Sequence, residues 1–108
     1  MLKEYEKEAI RILAKGKLSD ETIREVISSG VTDIEFTGAG YFLTIINNLL
    51  PVERIVLNKP LLEATSDGVM TGLLVIIENS VLTLECHSWG NDEVPDNFRE
   101  SDVTIKIT

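Results

Sequence analysis

The sequence predicts an α+β fold in which two N-terminal helices pack on one face of a curved antiparallel sheet of about six strands. Three observations predict it. Up to Gly30 the apolar residues recur at helical spacing, whereas from Thr32 onward they alternate or run in short bursts separated by Gly, Asn and Pro. The third observation is residues 72–89, an apolar burst, a turn and an alternating burst, which read as a β-hairpin through the middle of the core.

Leu2, Tyr5, Ala9, Ile12 and Leu13 form the apolar stripe of the first helix, and Gly16 supplies its C-terminal stop. Ser19 is placed as the N-cap of the second, with Asp20 and Glu21 in the first turn and Leu18 and Ile23 at the staple positions. That helix runs to about Ser28, presents Ile23, Val26 and Ile27, and stops at Gly30. Residues 32–36 and 41–46 are strands joined by Thr37-Gly38-Ala39-Gly40, whose glycines can take positive φ. Residues 53–57 make a short strand that Asn58-Lys59-Pro60 is expected to break, and residues 61–65 make a weaker one. A polar loop follows Trp89, and Val103, Ile105 and Ile107 alternate with Thr104, Lys106 and Thr108 in a last strand whose outward lysine suits a sheet edge.

The central hairpin can be given a register. If Asn79-Ser80 is a two-residue loop, Ile77 pairs with Leu82, Val75 with Leu84 and Leu73 with Cys86, which makes one wholly apolar face. The opposite face then pairs Ile76 with Thr83, Leu74 with Glu85, Gly72 with His87 and Met70 with Trp89. It is half apolar and carries the chain's one histidine and one tryptophan. A loop one residue longer would exchange the two faces.

At 108 residues and 44% hydrophobic composition the chain has the size of one domain, residues 1–108, able to bury roughly 65% of its unfolded surface. One cysteine excludes an internal disulfide. The start of the chain has acids where a secretory signal has a basic stretch and an apolar run, and no stretch has the length of a membrane span, so a soluble cytoplasmic protein is expected. The formal charge is −8, and it is unevenly placed: residues 1–30 hold six bases and six acids, so all of the excess lies on the β-rich remainder. Nucleic acid, which needs a basic surface, is disfavoured as a ligand and a basic protein partner is favoured.

Catalytic and metal chemistry find little support. Cys86 and His87 are adjacent, but strand neighbours point to opposite faces, which separates a thiol from its base. Glu85 and His87 do share a face, yet a zinc site there would need further ligands from carboxylates alone. Asp92, Glu93, Asp96, Asn97, Glu100 and Asp102 offer oxygens without the spacing or central glycine of a calcium loop. Gly38-Ala39-Gly40 precedes a strand, so it is a turn and not a dinucleotide fingerprint. No cofactor is implied, and a non-enzymatic binding protein is the expectation. Its partner-binding residues are expected to be Trp89 and Met70 at the centre, with Glu85, His87, Asp92, Glu93, Asp96 and Glu100 around them. Two alternatives remain, a small-ligand pocket or degenerate active site near Glu85 and His87, and a homo-oligomer that pairs the half-apolar face with itself.

The stretches Glu35-Phe36-Thr37-Gly38-Ala39-Gly40-Tyr41-Phe42 and, in the hairpin, Ile77-Glu78-Asn79 and Leu84-Glu85-Cys86-His87-Ser88-Trp89-Gly90 resemble motifs of small uncharacterised bacterial proteins. The small, acidic α+β type is similar to bacterial immunity proteins of contact-dependent inhibition and polymorphic-toxin systems. That resemblance implies a toxin inhibitor that neutralises a basic toxin, often a nuclease, and it assigns no site residues.

Overall fold

The change of period at Thr32 divides the molecule into a helical layer and a sheet layer, and a computed structural model describes residues 1–90 and 93–108. Helix α1 spans Glu4–Ala14 and α2 spans Asp20–Ser28. Ser19 caps α2 as its sequence position predicts, its Oγ accepting the Thr22 N–H at 3.1 Å, a contact worth ~1 kcal/mol. The buried side of α1 is rotated from the predicted stripe. Ile10 and Ala14 join Leu2, Tyr5, Ala9 and Leu13 in the core, Ile12 is only half-buried, and Glu6 is fully buried among them.

The strands are β1 Asp33–Phe36, β2 Gly40–Ile46, β3 Ile55–Ser66, β4 Val69–Glu78, β5 Val81–Ser88 and β6 Thr104–Ile107. They form one antiparallel sheet in the order β1-β2-β5-β4-β3-β6, so the predicted hairpin, β4 and β5, lies at its centre. Helix α1 packs over β3 and β4, with α2 beside it. The hairpin register is the predicted one: Ile77 faces Leu82, Val75 faces Leu84, Leu73 faces Cys86 and Gly72 faces His87. Its cause is the two-residue turn, in which Asn79 (φ 53°) and Ser80 (φ 61°) both take the left-handed conformation that matches strand twist.

One prediction is overturned. Asn58-Lys59-Pro60 does not end a strand; β3 runs on through it with a bulge, Leu57 facing Val75 and Leu62 facing Leu73. Leu57 and Leu62 are both buried, and looping out the residues between them lets both side chains reach the core while sparing Pro60, which has no N–H, from the ladder.

The core lies between the helices and the inner face of the sheet, where Leu43, Ile45, Val75, Ile77, Leu82 and Leu84 are inaccessible to solvent. The segment before β6 belongs to the same layer. Phe98 sets its ring edge-on against Tyr5 (centroids 6.4 Å apart, planes at 89°) on the helical side. The other face of the sheet is therefore not covered by Phe98, and β6 extends the sheet edge instead of folding over it. Among the described residues no helix is long and apolar enough to cross a membrane.

Candidate partner-binding face

Because the strands pair in register, side chains of the outer face line up in rows across the sheet. One row runs Asp33, Thr44, Thr83, Ile76, Val56 from β1 to β3. The next is Glu35, Phe42, Glu85, Leu74, and beyond it Gly40, His87, Gly72, Glu63, Lys106. Trp89 and Met70 close the series, joined by the Trp89 N–H to Met70 carbonyl bond of 3.2 Å. Of the expected binding residues, Met70, Glu85, His87 and Trp89 thus stand together. Trp89 is 36% exposed and Met70 47%, while Glu85 and His87 are half-buried.

Trp89 owes its position to a glycine. A Cβ on Gly72 would collide with the indole Nε1, so the ring lies directly over bare backbone in the middle of the sheet. An aromatic ring laid across a strand glycine fills the space the missing side chain leaves. Beside it, His87 is flanked in its row by Gly40 and Gly72, and its Nδ1 is buried with no hydrogen-bond partner among the described residues. A polar atom left in that condition costs on the order of 1–3 kcal/mol.

The charge of the face is unbalanced. Arg54 meets Glu78 at 3.3 Å and Lys106 stands opposite Glu63, but Asp33, Glu35 and Glu85 form no ion pair among the described residues. Three uncompensated carboxylates therefore share the face with the apolar Phe42, Leu74, Met70 and Trp89, Glu85 between Phe42 and Leu74 and the other two at the β1 edge. Asp33, Glu35 and Phe42 were not among the residues expected from sequence. Alternation places each on a strand face, but only the adjacency of β2 and β5, which no local signal encodes, brings that face beside Glu85.

The described acids of the loop are placed separately from one another. Asp92 lies outside the described residues. Glu93 is exposed just before the Val94 N–H bond to the Gly38 carbonyl, and Asp96 is exposed in the turn closed by the Phe98 N–H on the Pro95 carbonyl. Glu100 is bound to Lys3 at 2.8 Å, beside the start of α1, and that lysine lowers the pKa of its carboxyl. Glu100 therefore sits with the helical layer, apart from Trp89.

What holds this loop is a buried polar cluster that was not among the expectations from sequence. The Arg99 guanidinium grips both oxygens of Glu6, Nε to Oε2 and Nη2 to Oε1 at 2.8 Å each, and Nη2 also donates to the Met1 carbonyl at 2.9 Å. Glu6 accepts in addition from the Lys3 N–H and the Tyr41 hydroxyl, while the Tyr5 and Tyr41 hydroxyls bond each other. Hydrogen bonding to Glu6 raises the pKa of Arg99, which stays charged, and burial drives both phenols far above their ordinary range. The groups are mutually satisfied, so the cluster is a structural clamp. A signal for it exists: Leu2, Glu6, Ala9 and Leu13 share one helical stripe, and a carboxylate inside an apolar stripe calls for a cation from elsewhere in the chain.

Cys86 points into the core, away from His87, and burial pushes its thiol from 9.0 up to about 11. That displacement alone lowers the thiolate fraction near neutral pH about 100-fold. Alkylation of the native protein by iodoacetamide is accordingly expected to be slower than that of a free thiol by at least that factor. A rate equal to free cysteine would contradict the burial.

Of the concavities among the described residues, one of about 350 Å³ opens on the outer face beside the β4–β5 turn, lined by Arg54, Ile76, Glu78 and Thr83, among others. Glu85 and His87 do not line it. Among the described residues no group of three or more His, Cys, Asp or Glu side chains is arranged to hold a metal ion. Compared with family models, with curated proteins and with solved structures, the chain gives no significant match in any of the three.

Proposed function

We propose that this is a non-enzymatic binding protein whose open sheet face covers a basic surface of a partner protein, in the manner of an immunity protein that neutralises a toxin. The observation that carries the reading is the uncovered outer face, on which aromatic and aliphatic side chains stand beside the unpaired carboxylates of Asp33, Glu35 and Glu85. Apolar side chains set beside charged ones are the anatomy of a protein interface. A nuclease is the partner class with the matching chemistry, since a cleft built to hold phosphates is cationic and is blocked by an acidic cover. The same carboxylates oppose self-pairing of the face, because a two-fold contact sets like charges against each other.

The test is reconstitution with a basic toxin domain, sought first among the products of neighbouring genes. The wild-type chain is expected to form a complex with it and to protect cells that express it. Reversal of Asp33, Glu35 and Glu85 to lysine together should slow association by roughly 10- to 100-fold at low salt, with the difference shrinking as salt rises. Trp89→Ala should act mainly by speeding dissociation. Unchanged association and protection in the triple reversal would remove this face from the interaction.

A further inference from the structure

The helical layer, on the side away from the open sheet face, carries a groove of the opposite charge. It lies between α1 and α2, encloses about 510 Å³, and has Ile23 and Ile27 as its apolar part with Arg11, Lys15 and Arg24 around them. Asp20 is the one acid that lines it. Arg11, Lys15 and Arg24 form no ion pair among the described residues, not even with Asp20 in the same groove. Arg11 lies in the last turn of α1 and Lys15 caps its C-terminal end, and Arg24 lines the same groove from α2. Glu21 and Glu25 lie around the side of α2 and do not line the groove.

We infer that this groove docks an acidic amphipathic segment of a partner protein, its aliphatic side chains against Ile23 and Ile27 and its carboxylates against Arg11, Lys15 and Arg24. Charge complementarity selects the occupant. The three cations are spread over two helices around an aliphatic floor, so they match carboxylates distributed along a chain better than a single small anion, which needs donors converging on one point. An extended polyanion would meet the field of a molecule whose formal charge is −8, whereas a short segment meets the groove alone. The inference is independent of the sheet-face reading, since it uses the opposite side of the molecule.

The experiment follows amide chemical shifts of the full, isotope-labelled chain. The probes are a synthetic helical peptide of about twelve residues, with leucines on one face and glutamates on the other, and its glutamine counterpart. The glutamate peptide is expected to move resonances of α1 and α2 saturably. Its affinity should fall about tenfold or more in Arg11→Gln/Lys15→Gln/Arg24→Gln, and the glutamine peptide should bind correspondingly weakly. All three positions are solvent-exposed, so the variant keeps the fold. Absence of shifts, equal binding of the two peptides, or shifts confined to the sheet would overturn the inference. So would equally strong binding of a heparin fragment or anionic lipid vesicles at these residues, which would mark a general polyanion site.

Discussion

Arg99→Ala is expected to lose about 3–5 kcal/mol of folding stability, the cost of leaving a buried carboxylate without its cation. Glu6 is 0% exposed and receives two of its four hydrogen bonds from Arg99, so water cannot replace the guanidinium without opening the layer. Against a total of roughly 5–15 kcal/mol for a domain of this kind, the loss is severe. Arg99→Lys should recover little, because an ammonium cannot reach both carboxylate oxygens and the Met1 carbonyl in one plane. Glu6→Leu/Arg99→Met should be far closer to wild type than either single change, since the apolar pair leaves no charge stranded. Urea denaturation of the five variants measures this, and a loss below ~1 kcal/mol in Arg99→Ala would show that the pair is not a clamp.

Raising the pH toward 11 should destabilise the protein steeply through its buried phenols and thiol. Tyr5, Tyr41 and Cys86 are held protonated chiefly by burial, the thiol up to about 11 from 9.0 and the two phenols far above their ordinary value of 10.0. All three folded pKa values are raised, so the folded state keeps protons that the unfolded chain has released. Stability from these groups is complete below the unfolded pKa and drains away as pH rises. The loss begins near pH 9 with Cys86 and steepens near 10 as both tyrosines join, each group contributing up to ~1.4 kcal/mol per pH unit. Between pH 10 and 11 the three together approach ~4 kcal/mol, a large share of the roughly 5–15 kcal/mol that holds a domain of this kind folded. Tyr5→Phe should reduce the slope by one group's share. Denaturation midpoints that stay level from pH 8 to 11 would contradict the buried state of these side chains.

Local chemistry in the sequence carries much of this fold. Ser19 followed by two acids announces a helix start, and Asn79-Ser80 between apolar bursts sets the hairpin register without reference to any other strand. Non-local features are silent by contrast. Glu6 and Arg99 are 93 positions apart, and although Glu6 stands in an apolar stripe, nothing local names Arg99 as its partner. Pro60 looks like a stop because its missing N–H is local information, whereas the burial of both Leu57 and Leu62 that carries the strand past it is tertiary. The site divides in the same way. Met70, Glu85, His87 and Trp89 follow from one hairpin, while Asp33, Glu35 and Phe42 needed the strand order. Glu100 was drawn to the helical layer with its neighbours Phe98 and Arg99, whose burial outweighs any preference of an exposed carboxylate.

A half-apolar sheet face left open would ordinarily invite aggregation, and the sheet's two borders bear on that risk. The outermost strands, β1 and β6, are four residues each, β1 bearing Asp33 and Glu35 and β6 bearing Lys106. Strands this short, marked with charge, offer a neighbouring molecule few unpaired backbone groups and an electrostatic cost for using them. Growth strand by strand into a fibril is thereby discouraged at both margins, and the sticky surface can stay wet and available at high cellular concentration.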